Sequence, residues 1–320
     1  MDGADGARTI VLVGPTASGK TALAEALAER LPLTVISADA RQVYRGLDIG
    51  TAKPDAKVRQ RVPHLGLDLI DVGERYSAGR FAADAAGWVG EVRGAGRLPV
   101  VVGGTGFYIR ALGDGLFQEP ELDPERREAL RDWTDGLDTG ALVRWAARLD
   151  PRFAGGGRQR AARAIEVALL TGHPLSHWQD VARETGAIRP WYIQLTLPRD
   201  VLHRRIAERV DRMLAQGLKD EVRRVLATGV APDAPGLDAV GYREVVAAER
   251  GELAWNAVRE TIVIATRQYA KRQETWFNNQ VSGANHQVSG PPVWRLDATL
   301  PPPVLADQVY ERWSSLTPDT

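Results

Sequence analysis

The stretch RTIVLVGPTASGKTALAEALAERL, residues 8–31, decides the fold. Ile10 to Val13 is an apolar run of strand length, and ALAEALAERL has the composition of a helix. Between them Gly14, Pro15, Thr16, Ala17, Ser18, Gly19, Lys20 and Thr21 match GxxxxGK[ST], in the order strand, loop, helix that this pattern requires. A loop of this kind curls so that successive N–H groups and the helix N-terminus point at phosphate oxygens. Lys20 adds a point charge, and Thr21 offers a hydroxyl to Mg²⁺. The pattern leaves open whether the phosphates belong to ATP, GTP or another diphosphate ester.

Outward from this loop, Thr34 to Ile36, Val100 to Val102 and Ile193 to Leu197 are further short apolar runs, separated by helical patterns or Gly/Pro punctuation. That alternation predicts a parallel α/β sheet flanked by helices. From Glu119 to Pro190 the chain turns to Arg- and Ala-rich helix with Trp and no strand signal. The expected fold is therefore a P-loop NTPase-like α/β core, residues 1–118 and 190–320, carrying an inserted all-helical domain, residues 119–189. A helix is expected from about Val201, with Leu202, Ile206, Val210 and Met213 on one stripe and Gly217 as its C-cap. NNQVSGANHQVSGPP (278–292) reads as a loop and VWRLDA (293–298) as a late strand.

The chain has 320 residues, 44% hydrophobic and 26% charged, enough for a substantial core. With 41 basic and 41 acidic side chains there is no global positive field, so a nucleic-acid site must come from local clustering of Arg. The absence of cysteine excludes disulfides, thiolate zinc sites and cysteine nucleophiles. MDGADGAR lacks the basic-then-apolar order of a signal peptide, and the apolar runs are too short to span a bilayer, so a cytoplasmic protein without membrane association is expected.

In parallel sheets ligands collect at the carboxyl ends of the strands. Two more groups fall at such ends. One is Asp39 in SADARQVYRGLDIGTAKP (37–54), with Arg41, Arg45 and Lys53 following it; the other is GGTGFY (103–108). Gly103 and Gly104 allow close backbone approach, and Thr105 then offers a hydroxyl. From the residues alone, a magnesium ligand and a catalytic base are equally good readings of Asp39.

GPTASGKTALA, ISADARQVYRGLDIGTAKP, VPHLGLDLID with YSAGRF, LPVVVGGTGFYIRAL, RAIEVALLTGHPLS, GYRE and ATRQYAKRQETW together resemble bacterial tRNA dimethylallyltransferases, in order and spacing, from about residue 9 to 277. The resemblance implies transfer of a dimethylallyl group from dimethylallyl diphosphate to N6 of adenine 37, beside the anticodon, in tRNAs reading codons that begin with U. It makes Asp39 the base that takes the amine proton, places Thr105 in the same site, and matches Arg209 to an arginine that reaches the donor diphosphate. By itself Arg209 reads as a solvated helix charge. The loop would hold a diphosphate to be expelled, with Mg²⁺ as cofactor and Thr21 as its ligand. One departure is Ala40, where the family usually has Ser.

For tRNA, expected at its anticodon stem-loop, the resemblance implies contacts from Asp39, Ala40, Arg41, Gln42 and Thr105, from Arg127, from Gln159, Arg160 and Arg163, and from Gly241, Tyr242 and Arg243. Arg158 stands in the same cluster. Arg267 with Lys271, and Gln268 with Arg272, lie four apart in ATRQYAKRQETWFNN, interleaved with Tyr269 and Trp276, a mixture that suits phosphate contacts and stacking. His64 reads as a hydrogen-bonded structural residue. A monomer is the default expectation. The rival readings are a P-loop small-molecule kinase, a non-catalytic RNA-binding nucleotide switch and an adenylate prenyltransferase acting on free AMP. A free nucleotide would not need the helical insertion.

Overall fold

The computed structural model describes residues 8–115, 122–181, 186–280 and 293–316. They divide into two compact units, one from Met1–Gly113 with Ala187–Thr320 and the other from Asp114–Gly186.

Among the described residues the first unit is built on six parallel strands: β1 (Arg8–Val13), β2 (Leu33–Ser37), β3 (His64–Leu65), β4 (Leu98–Val102), β5 (Arg189–Thr196) and β6 (Trp294–Asp297). Their spatial order is β3-β2-β4-β1-β5-β6. β1 lies between β4, with Ile10 opposite Val100, and β5, with Ile10 opposite Trp191. A strand covered on both faces must be apolar throughout, which is why β1, β2 and β4 read as unbroken runs and not as alternating ones.

Helices α1 (Lys20–Ala28), α2 (Ala56–Arg61) and α3 (Ala78–Gly94) connect the first four strands, and α4 (Gly106–Asp114) follows β4. Ser77, in YSAGRF, caps α3 by accepting from the Arg80 N–H at 3.1 Å. The second unit holds α5 (Pro124–Asp135), α6 (Thr139–Leu149), α7 (Arg158–Thr171) and α8 (Leu175–Val181), packed through Leu142, Ala146, Ala161, Ala164 and Ile165. After β5 come α9 (Arg199–Ala215), α10 (Leu218–Ala227), α11 (Tyr242–Glu249) and α12 (Trp255–Gln280), then β6 and α13 (Pro302–Leu316). The expected parallel α/β sheet with a helical insertion is therefore the observed fold.

The stripe Leu202, Ile206, Val210 and Met213 is buried on α9, and Gly217 follows its C-cap at φ 96°. The strand expected in 293–298 is β6. α12 continues through Asn278, Asn279 and Gln280, where a loop was expected; the remainder of that expected loop, 281–292, lies outside the described residues, as does the 118/119 boundary. The two-residue β3 was not foreseen. His64 in it bonds through Nδ1 to the Val62 carbonyl at 2.6 Å, and burial lowers its pKa. Trp191 of β5 stacks on Trp294 of β6 and meets the ring of Trp313 from α13. Among the described residues no helix is long and apolar enough to cross a membrane.

Candidate active site

The loop Gly14–Thr21, Asp39 and Gly103–Thr105 follow β1, β2 and β4, three adjacent strands, so all three emerge at one end of the sheet. The loop is curled: Ala17 stands at φ 64° and Gly19 at φ 96°. Gly19 opens α1 with no side-chain cap, so the first N–H groups of that helix are directed outward without a protein acceptor supplied by the cap position. Lys20 Nζ donates to the carbonyls of Gly14 (3.0 Å) and Pro15 (2.8 Å). Burial holds its pKa down to about 8; Asp39 pulls it back up and Arg209 lowers it further. Ser18 Oγ is buried within the loop with no hydrogen-bond partner among the described residues.

Asp39 ends the β2 segment in a tight turn: its Oδ1 accepts from the Arg41 N–H at 2.8 Å. Next to it, the Ala40 N–H donates to Thr105 Oγ1 at 2.9 Å, and the Thr105 N–H donates to the Ala38 carbonyl at 3.2 Å. Because the Ala40 contact is made by backbone, alanine in place of serine leaves the tie to Thr105 intact. The two segments can touch because residue 103 is glycine, where a Cβ would stand 2.1 Å from the Ala38 oxygen. Arg209, from α9, shares this site. Burial lowers its pKa while Asp39 opposes the shift, and the Asp39 charge acts on Lys20 and Arg209 alike. Tyr269, from α12, is pushed up to about 12 by burial and then by Asp39, with Thr105 hydrogen-bonding to its phenol.

The cations that follow Asp39 in sequence do not surround it. Lys53 is buried and bonds the Tyr44 carbonyl, Asp48 and Asp68, while Arg45 pairs with Asp71 at 2.8 Å. Gln42 is engaged by Ser37 Oγ and by the carbonyls of Thr51 and Ala52. Arg41 reaches the Pro235 carbonyl at 3.0 Å. The fully buried Tyr242 is a structural support. Its hydroxyl accepts from the Gly50 N–H and donates to Glu221, whose carboxylate also takes the N–H groups of Asp48 (3.0 Å) and Ile49 (2.9 Å). Gly241 caps α11 through Glu244, which also binds the exposed Arg243 at 2.7 Å. Glu221 was not foreseen from sequence, and a single acid on a helix gives no signal of such a role.

A second residue not foreseen is Gln273. Its Oε1 accepts from the Thr16 N–H at 2.8 Å and its Nε2 donates to the Gly104 carbonyl at 3.0 Å. Elsewhere on α12, Gln268, Lys271 and Arg272 are exposed, Trp276 packs over Gly106, and Arg267 Nε is buried with no partner among the described residues.

In the second unit, described by itself, Glu166 sits between two of the expected arginines. It is bonded by Arg127 Nε and lies 3.1 Å from Arg163. Arg158 instead ties α7 to the carbonyls of Thr134 (2.7 Å) and Asp135 (2.9 Å). Gln159 and Arg160 lie exposed in the first turn of α7.

This geometry, a phosphate loop beside a carboxylate whose backbone segment is tied down by a threonine, coincides with a family-model match. The IPP transferase model matches residues 42–280, and the isopentenyl transferase model residues 7–68. The chain belongs to the IPP transferase family. It is 42% identical over 275 residues to the tRNA dimethylallyltransferase of Geobacter metallireducens, covering 84% of this chain and 89% of that one. To the tRNA dimethylallyltransferase of Bordetella petrii it is 44% identical over 282 residues, covering 85% and 89%. The crystal structure of the full-length tRNA isopentenylpyrophosphate transferase of Bacillus halodurans superimposes with a TM-score of 0.69 at 33% identity, covering 96% of each chain. The IPP transferase fold places its P-loop-like sheet as described above.

Proposed function

We propose that this chain transfers a dimethylallyl group from dimethylallyl diphosphate to the exocyclic N6 of an adenine in tRNA, adenine 37 beside the anticodon in tRNAs reading codons that begin with U. One observation carries the reading. The Asp39 carboxylate spends Oδ1 on the Arg41 N–H, while Oδ2 makes no hydrogen bond among the described residues, and its charge acts on Lys20 of the phosphate loop and on Arg209 of α9. A base thus stands beside a site for a leaving group. The names of the relatives, tRNA dimethylallyltransferases, support the same chemistry.

The amine lone pair of adenine is delocalised into the ring, so the amine proton must leave as the new bond forms. N6 attacks C1 of the dimethylallyl group, the C1–O bond breaks with its electron pair passing to the diphosphate, and the N6 proton passes to Asp39 Oδ2. Lys20, Arg209 and the N–H groups opening α1 receive the growing negative charge in a site already shaped for it. Thr105 holds the Asp39 segment through the Ala40 N–H. The residues also fit a magnesium ion: Thr21 offers an exposed hydroxyl at the uncapped helix start, and Ser18 Oγ is buried unpaired inside the loop. Mg²⁺ held by Thr21 and phosphate oxygens would add charge neutralisation there. Exposed Arg160, Arg243, Lys271 and Arg272, with Arg127 and Arg163, supply the phosphate contacts that hold tRNA while its base is drawn from the stack, at a cost of a few kcal/mol.

Incubation with labelled dimethylallyl diphosphate, Mg²⁺ and unmodified tRNA without ATP, followed by digestion to nucleosides, should give N6-(dimethylallyl)adenosine. RNA-dependent ATP hydrolysis with no prenylated adenosine would overturn the reading in favour of a nucleotide switch.

A further inference from the structure

Gln273 is 6% exposed, and both ends of its amide are used: Oε1 takes the Thr16 N–H at 2.8 Å and Nε2 reaches the Gly104 carbonyl at 3.0 Å. A primary amide accepts at one end and donates at the other in a fixed plane, at any pH. A Cβ at residue 104 would lie 2.1 Å from Nε2, so the contact requires glycine there. The two groups it joins belong to different parts of the site. Thr16 lies in the phosphate loop, and the Gly104 carbonyl directly precedes Thr105, which holds the Asp39 segment. The platform is firm, because α12 packs on α9 through Ala270, Leu202 and Ile206, with Ala17 of the phosphate loop against them.

We propose that Gln273 is a positioning residue that sets the spacing between the phosphate loop and the Thr105–Asp39 segment, so that the allylic carbon and the base stay in register. This rests on the transferase reading above. Reacting atoms must be held about 3–3.5 Å apart, and a misplacement of about 1 Å costs on the order of 10²-fold.

The test compares Gln273→Met, Gln273→Glu and Gly104→Ala with the intact chain, by single-turnover transfer to tRNA and by the Kd of inorganic pyrophosphate. Gln273→Met should lower the single-turnover rate by about 10- to 100-fold, with the pyrophosphate Kd moving far less. Gly104→Ala should do the same, and the double variant should be no slower than either single one, since both remove one contact. Gln273→Glu gives a readout that a packing role would not move. A protonated glutamic acid accepts at one oxygen and donates O–H from the other, as the amide does, and a buried carboxyl facing a carbonyl titrates above its usual value of about 4.3. Its rate relative to the intact chain should therefore climb as the pH is lowered toward about 6, while the Met ratio stays flat. If Gln273→Met does not fold, the pH dependence of the Glu ratio decides. Variants that are merely less heat-stable, with intact rates and a flat Glu ratio, would overturn the proposal alone. An intact chain that transfers no prenyl group would overturn the transferase reading, and this proposal with it.

Discussion

Raising the pH should empty the phosphate loop. Lys20 is held down to about 8, first by burial, with Arg209 lowering it and Asp39 opposing. Its ammonium is then roughly 90% populated at pH 7 and roughly 10% at pH 9. If only the ammonium form holds a diphosphate, the Kd for dimethylallyl diphosphate should rise about tenfold over that span, or roughly 1.4 kcal/mol. The ligand does not contribute, because phosphate groups finish titrating near about 6. Calorimetry in buffers of different ionisation enthalpy should show about one proton taken up on binding at pH 9. Lys20→Arg, charged throughout, should bind with no such pH dependence. The sign for stability is opposite. With the folded pKa below the ordinary lysine value of 10.5, the ligand-free fold carries a penalty below about pH 8 that disappears as pH rises from 8 to 10.5. A donor Kd that stays flat from about pH 7 to about pH 9 would refute this account of Lys20.

Glu221→Ala would strand the N–H groups of Asp48 and Ile49 and the Tyr242 hydroxyl, so urea unfolding should show a loss of at least about 3 kcal/mol. Gly103→Ala places a Cβ against the Ala38 backbone oxygen and should cost about 1–3 kcal/mol by the same measurement, with slower transfer in the folded protein. Replacing Arg160 and Arg163 with Ala should make the salt dependence of tRNA binding shallower by up to about 1.4 log units, at about 0.7 per contact, with donor affinity unchanged.

The features that sequence showed are those written in consecutive residues. The phosphate loop is a contiguous pattern between a strand and a helix, and Asp39 follows an apolar run, so its place at a strand end was legible. The missing pieces act across long separations. Gln273 meets Thr16 at 257 positions' distance, and Glu221 meets Asp48 at 173. Each is one polar residue on a helix, with no periodicity to distinguish it from a solvated side chain. β3 has two residues, too few for any pattern, and is defined by pairing with β2. By composition Asn278 reads as a loop residue, yet it continues α12 and accepts from Gln194 at 3.2 Å. Lys53 and Tyr242 show the converse: a charge beside an acid in sequence and a tyrosine in a candidate RNA segment are both committed to the interior.

If Asp39 takes the amine proton beside a diphosphate site, removing its carboxylate must slow the chemical step. Single-turnover transfer by Asp39→Ala, titrated with Mg²⁺, tests it most directly. The rate should fall by about 10²- to 10⁴-fold, or roughly 2.7–5.5 kcal/mol, with donor and tRNA Kd nearly unchanged and no recovery at high Mg²⁺. Weakened donor binding and a rate restored by excess Mg²⁺ would show that Asp39 is a metal ligand and not the base.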